Sequence, residues 1–210
     1  MSASIQNTHF LLRRLHSLLG LLPIGAFLMF HLWENSQSRF GSEHYNVKVV
    51  GWLQELNYLP LLEIFVIALP ILFHAVYGLH IVATGRSEVR RFPFLHNWFY
   101  WLQRLSGVGI LLFLLAHVGM TRIWAMWEPA IKQDLFAHMQ QLLADPLILV
   151  LYVFGLLLSV FHLGNGLWTM AISWGVTVTP RSQQLSFYLF MGLTLLLAAM
   201  GLHGLWGFLQ

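Results

Sequence analysis

Residues 73–80 read FHAVYGLH and residues 161–168 read FHLGNGLW, so Phe-His, three variable positions and Gly-Leu occur twice. Each copy sits inside a long apolar run. An imidazole in hydrocarbon either finds a partner or costs several kcal/mol, so a histidine there marks a functional position. Outward from these stretches, the 210-residue chain is 58% hydrophobic and 9% charged, with nine tryptophans. A soluble domain carries about 25% charged residues. Five apolar segments, 11–33, 59–83, 98–120, 147–173 and 184–208, reach the length of about 20 residues that crosses a bilayer as a helix. The connections between them are too short to fold as domains. The sequence therefore predicts an all-α integral membrane protein, one domain over residues 1–210 made of five transmembrane helices.

Arg13-Arg14 before an apolar run imitates a secretory signal, but the run is too long, lacks a small-residue cleavage site and carries His31 near its far end. It reads as the first span. Cysteine is absent, which excludes cysteine-ligated iron–sulfur clusters and covalently attached c-type haem. Lys and Arg set the orientation. Arg13, Arg14, Arg86, Arg90, Arg91, Arg104 and Arg181 fall on the side of the N-terminus, against Arg39, Lys48, Arg122 and Lys132 on the other. The N-terminus is therefore expected inside.

Alternating span directions give each histidine a height, at about 1.5 Å per residue. His31 and His117 stand near the outer ends of the first and third spans. His74 and His162 share a deeper level, in the inner halves of the second and fourth. The four positions advance by 43, 43 and 45 residues, one span and one loop per step. A planar macrocycle held between two helices by an imidazole on each side needs one ligand per helix, and noncovalent haem b meets the cysteine-free composition. The pattern predicts two bis-histidine haems, His74 with His162 and His31 with His117, stacked inside the bundle. Gly78 and Gly166, each four residues after a proposed ligand, are expected to clear the ring on the ligand face. Zinc and di-iron are disfavoured because no carboxylate adjoins these histidines. His80, about 240° around the helix from His74, and His16 at a similar height are candidates for a haem propionate or a quinone, with the interface as the alternative. Arg104, two turns into the third span, is the candidate propionate partner.

Two stacked haems form a wire that needs an electron source at one face and an acceptor near the other. The chain supplies neither. A redox protein docked on the arginine-rich inner face, through Arg86, Arg90 and Arg91, is the expected source, and a membrane quinone the expected acceptor. Glu63 lies eleven residues before His74. In a straight α-helix the two share a face within about 20° and stand roughly 16 Å apart. That placement makes Glu63 a candidate acid/base for quinone protonation near the outer haem. A glutamate that merely starts its helix is the alternative.

These residues resemble a known family. The chain is similar to the five-helix, di-haem cytochrome b anchor subunit of succinate:menaquinone oxidoreductases and the related fumarate reductases. The resemblance rests on five spans, the N-in topology, one histidine in each of the first four spans, and Arg13-x-x-His16 ahead of the first ligand. It implies a bacterial cytoplasmic membrane location, menaquinone as substrate, and two partners, a flavoprotein carrying the dicarboxylate site and an iron–sulfur subunit. By the same resemblance, His74 and His162 hold the haem proximal to the dehydrogenase. Some fumarate-reducing members carry a glutamate two residues before the last ligand, associated with proton movement; here that position is Val160. Two other readings stay open on the residues alone: the cytochrome b anchor of a hydrogenase, formate dehydrogenase or nitrate reductase, and a haem-free transporter or proton channel.

Overall fold

A computed structural model describes residues 3–210, with side chains from residue 7 onward. Five helices are long and apolar enough to cross a membrane: α1 (Asn7–Phe40), α2 (Leu59–Thr84), α3 (Leu95–Trp127), α4 (Pro146–Ser173) and α5 (Pro180–Phe208). No strand forms among the described residues. Local chemistry sets the boundaries. Asp145 caps α4 by accepting from Leu147 N–H, with Pro146 at the first helical position, where its missing N–H costs nothing. Thr179 and Ser182 form a reciprocal capping box ahead of α5, again followed by a proline. Gly175 closes α4 at φ +73°, and the Val176 N–H returns 2.9 Å to the Ala171 carbonyl.

The helices α1 and α3 run further than the apolar segments predict, because the apolar count ends before the helical hydrogen bonding does. Three spans contain π turns: Gly20–Gly25 around Pro23, Glu63–Ala68 just before Pro70, and Gly119–Ile123 after His117. At the first two a proline leaves one carbonyl unpaired in the preceding turn, and the widened turn absorbs it.

The bundle is centred on α4. A third of its most apolar window is buried, against 6% for α2, so α2 presents most of its surface outward. Small residues let neighbours approach closely: Gly155 faces the Phe113 ring and Gly201 meets Leu156. The end at which the chain enters is the near face, and the opposite end the far face. On the far face the two long connections, 41–58 and 128–145, fold into short helices that pack together. Tyr45 and Val49 of one lie in a single cluster with Phe136, Met139 and Leu143 of the other, over Tyr152 of α4 and Phe208 of α5. Asn46 pins them, its Nδ2 donating to Asp134 Oδ1 at 2.7 Å and its Oδ1 accepting from Phe136 N–H at 3.1 Å. On the near face the connections are short, and Arg86, Arg90 and Arg91 are exposed.

Candidate functional site

The helix arrangement brings four histidines together in two pairs. His74 of α2 and His162 of α4 have ring centroids 6.2 Å apart with planes at 80°. His31 of α1 and His117 of α3 stand 5.9 Å apart at 72°. A metal–imidazole bond is about 2 Å and the ring adds about 1 Å to its centroid, so two imidazoles trans on one metal have centroids about 6 Å apart. Both pairs have a ring separation that would fit one metal ion held between two imidazoles. Among the described residues no group of three or more His, Cys, Asp or Glu is placed to hold a metal ion, and each pair offers two imidazoles.

The pairs stack along the bundle. Gly20 of α1 lies against the His74 ring and Gly107 of α3 against the His162 ring. From these glycines, eleven residues of α1 lead to His31 and ten of α3 lead to His117, about 15 Å on either helix. Gly78 and Gly166 have other protein neighbours than the proposed ligands. Gly78 faces the His16 ring and Gly166 the Gln103 amide; the glycines that touch the near histidines belong to the neighbouring helices.

Each ring is held from behind. His74 Nδ1–H donates to the His16 carbonyl at 2.9 Å, which leaves Nε2 for a metal. His162 Nδ1 stands 3.0 Å from Ser106 Oγ, and His117 Nδ1 3.2 Å from the Tyr152 hydroxyl. At His31 the polar atom beside the ring is a donor, the Asn35 amide, whose main bond goes to the His31 carbonyl at 2.7 Å. Tyr45, in the far-face cap, donates to Asn35 Oδ1 at 3.1 Å; burial, with the Glu34 charge adding to it, pushes its phenol well above the usual range, so it stays a donor. Gln103 and Asn165 lock α3 to α4 beside His162. The Gln103 amide donates to the His162 carbonyl at 3.0 Å, and Asn165 Nδ2 donates to Gln103 Oε1 at 2.7 Å.

On the near side the buried polar atoms without a hydrogen-bond partner among the described residues include His16 Nδ1 and Arg104 Nε. The His16 ring stacks on His74 at 3.8 Å and 12°. Arg104 lies over the Tyr100 ring, beside a recess of about 290 Å³ that it lines with Gly85, Arg86 and Ser87. A buried imidazole nitrogen against the His74 ring and a buried guanidinium nitrogen on α3, both without a partner among the described residues, fit a group that brings its own carboxylates, as a haem does. His80 joins neither pair: it is exposed and stacks on His9 at 6.1 Å.

The phase of Glu63 differs from that of a straight helix. The shared face with His74 assumes a straight α-helix, but the π turn Glu63–Ala68 inserts a residue, about 100° of rotation, between them. Its carboxylate is not free, since Arg122 Nη2 of α3 donates to Oε2 at 2.6 Å. Glu34, which the sequence reading passes over, is 5% exposed, and its Oε1 has no partner among the described residues. Val160, two residues before His162, is sealed in the core at 1% exposure.

Fold and site together define a polytopic helical membrane subunit whose interior presents two histidine pairs. Residues 86–201 match the family model described as succinate dehydrogenase/fumarate reductase transmembrane subunit. The chain is also 39% identical over 202 residues to the succinate dehydrogenase cytochrome b558 subunit of Bacillus subtilis (strain 168), covering 96% of this chain and 98% of that relative. It belongs to the family of succinate dehydrogenase/fumarate reductase transmembrane subunits.

Proposed function

We propose that this chain is the membrane-anchor cytochrome b of a succinate:quinone oxidoreductase, with one haem b held by His74 and His162 and a second by His31 and His117. The observation that carries this reading is the pair of ring separations, 6.2 and 5.9 Å, each suited to one iron between trans imidazoles. The cytochrome b in the printed name of the Bacillus subtilis relative supports it. Haem supplies a one-electron iron centre at each pair. The chain's own residues hold it: His16 Nδ1 and Arg104 Nε are the near-side donors for propionates, and Gly20 and Gly107 leave room at the ring faces of the ligands.

The near face is the cytoplasmic one, and Arg86, Arg90 and Arg91 form its docking surface for the iron–sulfur subunit and, through it, the flavoprotein that carries dicarboxylate chemistry. With haem held at both pairs, His74/His162 and His31/His117 would set two one-electron centres between that docking surface and membrane menaquinone. At the far end Glu63, oriented by Arg122, exchanges protons with the quinone. His80 takes no part in the haem sites and contributes to the near-face surface with His9.

The test is a redox titration of the purified chain with its haem quantified. Two reducible b-type haems per chain are expected. One haem, or none, in a folded chain removes the reading. Co-purification of a flavoprotein and an iron–sulfur subunit separates the succinate assignment from other quinone-linked dehydrogenases.

A further inference from the structure

A histidine that gives Nε2 to iron must place its Nδ1 proton on an acceptor, and the strength of that bond sets how much electron density the ring passes to the metal. At His162 the acceptor is identifiable from proton accounting. Ser106 has one hydroxyl proton and donates it to the Gln103 carbonyl at 3.1 Å, so the oxygen it turns to His162 is an acceptor. At His117 the corresponding oxygen is the Tyr152 phenol. Ser106 is 2% exposed and Tyr152 4%, so bulk water does not compete for either oxygen. The two residues lie on different helices and touch different histidines.

We propose that Ser106 and Tyr152 are positioning residues that each fix the tautomer and tune the electron donation of one ligand, Ser106 at the near site through His162 and Tyr152 at the far site through His117. The assignment rests on the two-haem reading above. A Nδ1–H bond to oxygen makes the imidazole a stronger donor, which favours ferric over ferrous iron. Removing the acceptor therefore favours the reduced haem, and only at the site concerned. His74 has a backbone carbonyl as its acceptor, which no side-chain substitution removes, and His31 has a donor beside its ring. The tunable ligand is thus one per site.

The experiment is a potentiometric titration of the intact complex, following each haem by its own spectrum. Ser106→Ala should raise the reduced-to-oxidised ratio of the near haem at fixed potential by about three- to tenfold, tenfold being 59 mV for one electron. The far haem should not move. Ser106→Thr, which keeps the hydroxyl, should restore the wild-type curve. Tyr152→Phe should shift the far haem alone in the same direction. The proposal is overturned if both haems are present and neither moves, if either substitution shifts both equally, or if Ser106→Thr fails to recover a shift or a haem lost in Ser106→Ala. A loss that threonine recovers supports it. Wild-type protein without two b-type haems would remove the underlying reading instead, and the untreated control reports that separately.

Discussion

The two halves of the bundle are finished differently. At the far face, two connecting segments fold over the helix ends, and Tyr45, Phe136, Met139 and Leu143 bury one another there. At the near face, the connections are short, the arginines point outward and Arg104 and His16 keep unpaired buried nitrogens. One half carries its own lid; the other ends on a charged, incompletely satisfied surface. Both halves keep buried polar atoms without a partner among the described residues, Glu34 Oε1 on the far side and His16 Nδ1 and Arg104 Nε on the near, so the contrast lies in the far-face cap and the exposed near-face arginines.

The largest test of this contrast is deletion of one ligand on each side. His31→Ala should remove the far haem and leave the near spectrum largely intact, and His74→Ala the converse, both read from reduced-minus-oxidised spectra. Joint loss in a chain that still folds would show the halves to be one unit. Next in size, Glu63→Gln should lower quinone-linked turnover by about 10²-fold or more, with haem content unchanged, if the carboxylate serves as acid/base. Unchanged turnover would assign the Glu63–Arg122 pair to holding α2 against α3.

A smaller effect separates the two sets of glycines. A Cβ on Gly20 would stand 2.6 Å from His74 Cε1, whereas one on Gly166 would meet only the flexible Gln103 amide at 3.3 Å. Gly20→Ala should destabilise the near site by about 1–3 kcal/mol and lower its haem occupancy, while Gly166→Ala stays close to wild type in both. The smallest expected change concerns docking. Exposed ion pairs contribute about 0.2–1 kcal/mol each, so reversing Arg86, Arg90 and Arg91 together should weaken assembly with the dehydrogenase about tenfold at low ionic strength. The defect should shrink with added salt, because charges beyond about 8–10 Å are screened. Cross-links from the partner to the far-face cap would invert the orientation given to the near face.

Much of the fold was legible because a bilayer imposes a length and excludes charge: the five spans follow from apolar runs, and the histidine heights from the rise per residue. What escaped depends on contacts between helices or on single backbone irregularities. The π turn before Pro70 rotates Glu63 away from the phase that a uniform 100° step assigns it, and nothing in local hydropathy reports such a turn. Gly78 and Gly166, four residues along from the ligands, face His16 and Gln103, and the close approaches to the near imidazoles come from Gly20 and Gly107 on adjacent helices, a matter of helix packing that spacing along one helix does not report. Ser106, Tyr152 and Asn165 did carry a signal, being polar side chains within apolar spans, where a polar group needs a partner. The cap was out of reach, since two segments separated by some ninety residues pack only after the spans have aligned them, as the Asn46–Phe136 bond shows.

The interleaving of the pairs, α1 with α3 and α2 with α4, has a consequence for biogenesis. Spans enter the membrane in order of synthesis, and no two consecutive spans share a pair. The far pair is first complete when the third span has been inserted, the near pair only with the fourth. A nascent chain stalled after two spans therefore presents two unmatched imidazoles and can retain no bis-histidine cofactor, so loading reports on how much of the bundle has been made.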